Sequence, residues 1–262
     1  MALPQMKTRL VIKLCLCLGA LWSLPNSAWA GLPDTIERLK PAVLLIGTYK
    51  STDSPRFQLR GTGFVVGDGL MVVTNAHVLP SDPPSADSPA LVVQVRQATG
   101  EWQMRPARVL GTNAPRDLAL LRMEGPAVPA MRLGNSAAVR EGADLAFMGF
   151  PIGGVLGFSV VTHRATVSSI TAAALPSPSA GRLSEQAIRG LRGGTFEIFQ
   201  LDATAYPGNS GGPLFDPDTG DVVGVMNMVL IKGTRESALS QPSGISYAIP
   251  SVHVRELLER HR

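Results

Sequence analysis

Cysteine is almost missing from this chain. Its 262 residues hold two, Cys15 and Cys17, and both lie within the first thirty positions. A folded body beginning after that stretch has no disulfide to staple it, which excludes the small cysteine-rich extracellular scaffolds. No Asn-x-Ser/Thr acceptor occurs either, so nothing favours an N-glycosylated product. Aromatic residues make up only 5%, and two of the three tryptophans, Trp22 and Trp29, fall in the N-terminal stretch. Few rings remain for stacking against sugars, which argues against a carbohydrate-binding barrel. Long polar tracts and internal repeats are absent, and no apolar run beyond residue 30 approaches the roughly 20 residues of a spanning helix.

The first thirty residues read as an export signal. Lys7, Arg9 and Lys13 give a basic start, "LCLCLGALWSL" an apolar middle, and "SAWA" the small-x-small pattern of Ala28 and Ala30. Cleavage is expected after Ala30, with a periplasmic or secreted bacterial destination and no integral membrane segment once the signal is gone. The same removal corrects the charge. Of 24 basic residues three leave with the signal, against 20 acidic residues that all stay, so the mature balance is near +1. The basic pI therefore gives no reason to expect a nucleic-acid partner.

From residue 41 onward, short apolar or alternating runs are broken by Gly, Pro, Asn and Asp. About twelve candidate strands, from "AVLLIGTY" to "GISYAIP", argue for an all-β sandwich or barrel. The strand-poor segment around "GPAVPAMRLGNSAAVREG", about 125–142, divides them six and six and reads as a linker between a first half at about 41–124 and a second at about 143–250. Helices are expected at "PDTIERLKP", at "SEQAIRGL" and over 251–261, where Ser251 is the expected N-cap and Val254, Leu257 and Leu258 share one face.

Chemistry is sought first in "YPGNSGGPL", residues 206–214. Such a cluster is first of all a turn, and a serine in it is usually structural. A nucleophilic serine would need a base and a group to orient that base. His253 and His261 fall in the terminal helix, where the surface is expected, and His163 falls in an alternating strand. His77 ends the apolar run "LMVVTNAHVL" just before a polar loop, where a scaffold can hold a side chain open to a cleft. Asp117 directly precedes the apolar "LALLRM". Singly these readings are even; the order His77, Asp117, Ser210 is one in which Ser-His-Asp triads occur.

"TNAHV", "DLALL" and "GNSGGPL" resemble the three triad motifs of the trypsin-like serine proteases, in the spellings of the HtrA (Deg) branch. Supporting likenesses in "TIERLKPAVLLIGT", "GTGFVV", "GFPIG", "FQLDATAYPGNSGGPL" and "GISYAIPS" run collinearly over most of residues 34–258. The resemblance implies two six-stranded β-barrels, a cleft between them and a short C-terminal helix closing the second. It implies His77 as base, Asp117 as its orienting carboxylate and Ser210 as nucleophile. Gly208, Asn209 and Ser210 would form the oxyanion turn, and neither metal nor cofactor is required. The pocket for the substrate side chain maps by the same likeness to Thr204, Ala205, Met226, Asn227, Met228 and Gly244. None is acidic, so cleavage of proteins or peptides after small or medium aliphatic residues is expected. The chain ends at Arg262, directly after the closing helix, so no PDZ domain is expected, and only "GLP" precedes the first helix; a monomer is expected, with a trimer as the alternative. The competing reading is a protease-fold binding or chaperone module whose active site rests inactive.

Overall fold

Alternating apolar residues predict strands that bury one face, and closing such strands into a barrel removes the unpaired edges. The computed structural model of the protein, which describes residues 31–81, 87–151, 157–173, 196–227 and 244–261, has that architecture. After helix α1 (Leu32–Leu39) come β1 (Val43–Tyr49), β2 (Phe57–Val66), β3 (Met71–Thr74), β4 (Ala90–Arg96), β5 (Trp102–Asn113) and β6 (Leu118–Met123). They close in the order β1-β2-β3-β6-β5-β4. The second set is β7 (Asp144–Gly149), β8 (Val161–Ala173), β9 (Phe196–Asp202), β10 (Pro213–Phe215), β11 (Val222–Asn227) and β12 (Ile245–Pro250), followed by helix α2 (Val252–Glu259). It closes as β10-β11-β12-β9-β8-β7, and each neighbouring pair in both barrels is antiparallel. The fold is therefore the expected pair of six-stranded barrels.

Each barrel carries its own buried side chains. In the first, Leu44, Ile46 and Val72 are fully buried on one face of the sheet and Phe64, Leu118 and Leu120 on the other, while Phe147, Leu201, Leu214, Met226 and Ala248 share a buried face of the second. The segment between the barrels is not a slack tether. Met131 N–H donates to Val65 O at 2.8 Å, and Gly134 N–H to Val222 O at 2.8 Å, so consecutive stretches are stitched to opposite barrels. Val254 and Leu257 of α2 are buried as the periodicity predicts. The helix packs against β5 and β6 as well as β12, so it closes against the first barrel too, and Arg116 pairs with Glu256 across that contact.

Three local expectations are corrected. Ser251 sits at the N-cap position but its hydroxyl donates to Gly134 O at 2.9 Å; the helix's first amide, Val252 N–H, is instead satisfied by Ser136 Oγ at 3.1 Å. The apolar run before His77 is a strand only to Thr74, because a 3-10 turn over Ala76–Val78 follows. His253 is not on the surface: it is 8% exposed and its ring meets Phe196 edge-on at 5.5 Å. The helix expected at "SEQAIRGL" lies outside the described residues.

Two histidines, His163 half-buried and His253 buried, make stability depend on pH. His163 lies in the second barrel with its ring stacked on Phe147 at 4.7 Å, and burial holds its pKa below the usual value. Burial also lowers His253, Arg116 adds to that, and Glu256 opposes it. Because the folded pKa is the lower one, the unfolded chain binds more protons as pH falls below about 6.5, and the native state loses stability there. Urea unfolding at a series of pH values should show stability level above neutrality and falling between about pH 6.5 and 5. His163→Phe should flatten part of that slope; an unchanged slope would remove His163 from the account.

Candidate active site

The ladder between β3 and β6 pairs Thr74 with Ala119, so the turn after one strand lies beside the residue before the other. That register brings His77 to Asp117. Asp117 has φ 50, in the left-handed region, and is the one non-glycine residue with positive φ among the described residues. Asp and Asn tolerate that region better than other side chains. The conformation turns both the carbonyl and the carboxylate of Asp117 toward the His77 turn. Asn75 Nδ2 and Ala76 N–H donate to Asp117 O at 3.0 and 3.1 Å. His77 N–H donates to Oδ1 at 2.8 Å, and His77 Nδ1 lies 2.5 Å from Oδ2. With the proton on Nδ1, the imidazole presents Nε2 as the basic nitrogen.

The second barrel contributes a third partner. Asn227, fully buried on β11, donates from Nδ2 to Asp117 Oδ2 at 2.8 Å. The sequence likeness assigns Asn227 to the substrate pocket; its side-chain amide donates instead to the carboxylate. A polar residue in the apolar run "VVGVMNM" was the available signal, since a buried amide needs a partner. Met226 is also corrected, because its side chain is fully buried in the core of the second barrel. Thr204 is half-buried, Ala205 is buried, and Gly244 is exposed with its carbonyl accepting from Ala203 N–H at 2.9 Å. Met228 lies outside the described residues.

Ser210 stands on the turn between β9 and β10. Asn209 N–H donates to Tyr206 O at 3.0 Å, with Pro207 and Gly208 between them and Gly208 at φ 103. Proline fixes a negative φ, so this is a type II turn, which only glycine fills easily at its third position. In a type I turn the Pro207–Gly208 peptide would be flipped and the Gly208 N–H would face the other way. Beyond it, Gly211 N–H donates to Met226 O at 2.9 Å and Gly212 N–H to Asn209 O at 3.0 Å. Among the described residues the amides of Gly208 and Ser210 donate to no backbone carbonyl. Asn209 is fully buried, and its side-chain amide has no partner among the described residues. Ser210 is 5% exposed, and no hydrogen bond joins it to His77 among the described residues.

Comparisons with known proteins identify the family and the fold. Residues 61–225 match the family described as "Trypsin-like peptidase domain". A serine protease HTRA2, mitochondrial, of Drosophila willistoni is 33% identical over 200 residues, covering 76% of this chain and 38% of that protein. The one of Bos taurus is 32% identical over 247 residues, covering 93% of this chain and 46% of the relative. The chain thus spans less than half the length of these curated relatives. Among solved structures, "HtrA-type protease AlgW with tripeptide" superposes with a TM-score of 0.59 at 24% identity, covering 87% of this chain and 62% of that one.

The left-handed residue gives a stability test. Asp117→Asn keeps a side chain suited to φ 50, whereas Asp117→Ala does not; the alanine variant should be less stable than the asparagine variant by about 1–2 kcal/mol in urea unfolding. Equal stabilities would mean that the backbone there carries no strain for alanine.

Proposed function

The chain belongs to the trypsin-like peptidases, in their HtrA-type branch, and from that premise we propose that it is a serine endopeptidase acting on proteins or peptides through Ser210, His77 and Asp117. The observation that carries the reading is the shared carboxylate. Asp117 holds the His77 imidazole from one side and is held by Asn227 of the other barrel.

Ser210 Oγ attacks the scissile carbonyl carbon while His77 Nε2 takes the hydroxyl proton. The carbonyl electron pair moves to oxygen, and the Gly208 and Ser210 N–H groups stabilise the resulting anion. His77 returns its proton to the leaving amine, which departs and leaves an acyl-Ser210 ester. Water repeats the sequence: His77 accepts its proton, hydroxide adds to the ester carbon, and the acid product leaves as Ser210 regains its hydrogen. Asp117 stays ionised and stabilises the imidazolium at both stages. The single histidine–serine contact left open in the resting geometry is one that substrate binding tightens in enzymes of this kind.

Substrate selection rests on Thr204, Ala205 and Gly244, which bring no charge to the pocket. A buried Lys or Arg side chain would find no counter-ion among these three residues, so the reading favours small or medium aliphatic residues before the cleaved bond. We also read residues 1–30 as an export signal. The body that follows has no helix, among the described residues, long and apolar enough to cross a membrane.

Purified protein should hydrolyse casein, and Ser210→Ala should lower the rate by about 10⁶-fold with folding retained. Hydrolysis that survives the substitution would sink the assignment. Digestion of a peptide library should place aliphatic residues before most cut bonds; cleavage chiefly after Lys or Arg would overturn the pocket reading alone.

A further inference from the structure

Thr62 of β2 passes beneath the turn that carries Ser210, and it is fully buried. A threonine has three backbone-and-hydroxyl donor or acceptor groups, and all are engaged. Its hydroxyl donates to Gly208 O at 2.6 Å and accepts from Phe150 N–H at 3.1 Å. Its amide donates to Ser210 O at 2.9 Å, and its carbonyl accepts from Thr74 Oγ1 at 2.7 Å. One residue of the first barrel therefore holds the carbonyls on both sides of Asn209, and ties them to the end of β7 in the second.

The consequence lies in the peptide planes. Gly208 has no side chain to restrict its rotation, and its N–H is one of the two that must stay aimed outward. Fixing its carbonyl fixes ψ at Gly208, and fixing the Ser210 carbonyl does the same for the nucleophile. We propose that the Thr62 hydroxyl is a positioning residue for the oxyanion turn, through the chain Phe150 N–H to Thr62 Oγ–H to Gly208 C=O. This rests on the serine-peptidase reading above. Thr62 touches neither substrate nor the reacting atoms; it acts by keeping Gly208 N–H free and oriented. Space for a compensating water is small, since a Cβ on Gly149 would lie only 3.1 Å from Thr62 Oγ1.

The test compares Thr62→Val, which keeps the shape and removes the hydroxyl, with Thr62→Ser, which keeps the hydroxyl and removes the methyl. Two quantities are read on a peptide substrate and on the matching peptide aldehyde, whose bound form carries a tetrahedral oxyanion. Thr62→Val should lower kcat by about 10²-fold with KM unchanged, and weaken aldehyde inhibition by a similar factor. Thr62→Ser should restore both. A variant that was merely less folded would lose kcat but keep its inhibition constant, so the aldehyde separates positioning from stability. Should the valine variant fail to fold, Thr62→Ala carries the same comparison. Unimpaired turnover and inhibition in the hydroxyl-free variant would overturn the proposal, as would a serine variant as poor as the valine one. A parent protein that neither hydrolyses the peptide nor binds the aldehyde would overturn the peptidase reading as well.

Discussion

A carboxylate taken out of water between two β-barrels is tolerated only when N–H groups satisfy it, and Asp117, whose side chain is 13% exposed, has three. Two come from His77 and one from Asn227. The first barrel supplies the carboxylate and the imidazole, and the second supplies the amide that completes the shell. The carboxylate thus tethers the two halves and holds the imidazole ring of His77 by Nδ1.

Position also governs the turn at Ser210. Its glycines, Gly208 and Gly211, take up positive φ and let the backbone turn sharply, and among the described residues the amides of Gly208 and Ser210 donate to no backbone carbonyl. Glycine permits that conformation without enforcing it. Enforcement comes from neighbours: the Asn209–Tyr206 bond, the pairing of Gly211 with Met226, and the grip of Thr62 on two carbonyls. A Cβ on Gly211 would sit 2.2 Å from Thr62 O, which shows how closely the barrels meet there. The unpartnered Asn209 amide is the feature of this turn for which the described contacts give no account.

Much of this was legible in the residues. Strand periodicity and turn residues gave the all-β class and the division into halves, and the motif order His77, Asp117, Ser210 singled out side chains of which the structure joins His77 to Asp117. What was not legible depends on contacts between segments far apart in the chain. Asn227 reads as one more residue of a strand facing a pocket until β11 is set beside the Asp117 turn. Thr62 lies in "GTGF", where nothing local says that its hydroxyl reaches Gly208, 146 positions away. His253 followed the helical pattern of a surface residue, but Phe196 of the second barrel covers it. Ser251 and Ser136 exchange the capping role for a similar reason, since the linker approaches the helix end closely enough for one serine to replace the other.

The central claim is that Ser210 is a nucleophile activated by its two partners and not a structural residue of a tight turn. It is tested most directly by treating the protein with a serine-reactive aryl phosphonate and locating the adduct by peptide mass spectrometry. The account predicts one adduct, on Ser210, that fails to form in His77→Ala. No adduct on the folded parent protein, or one that forms equally well without His77, would contradict it.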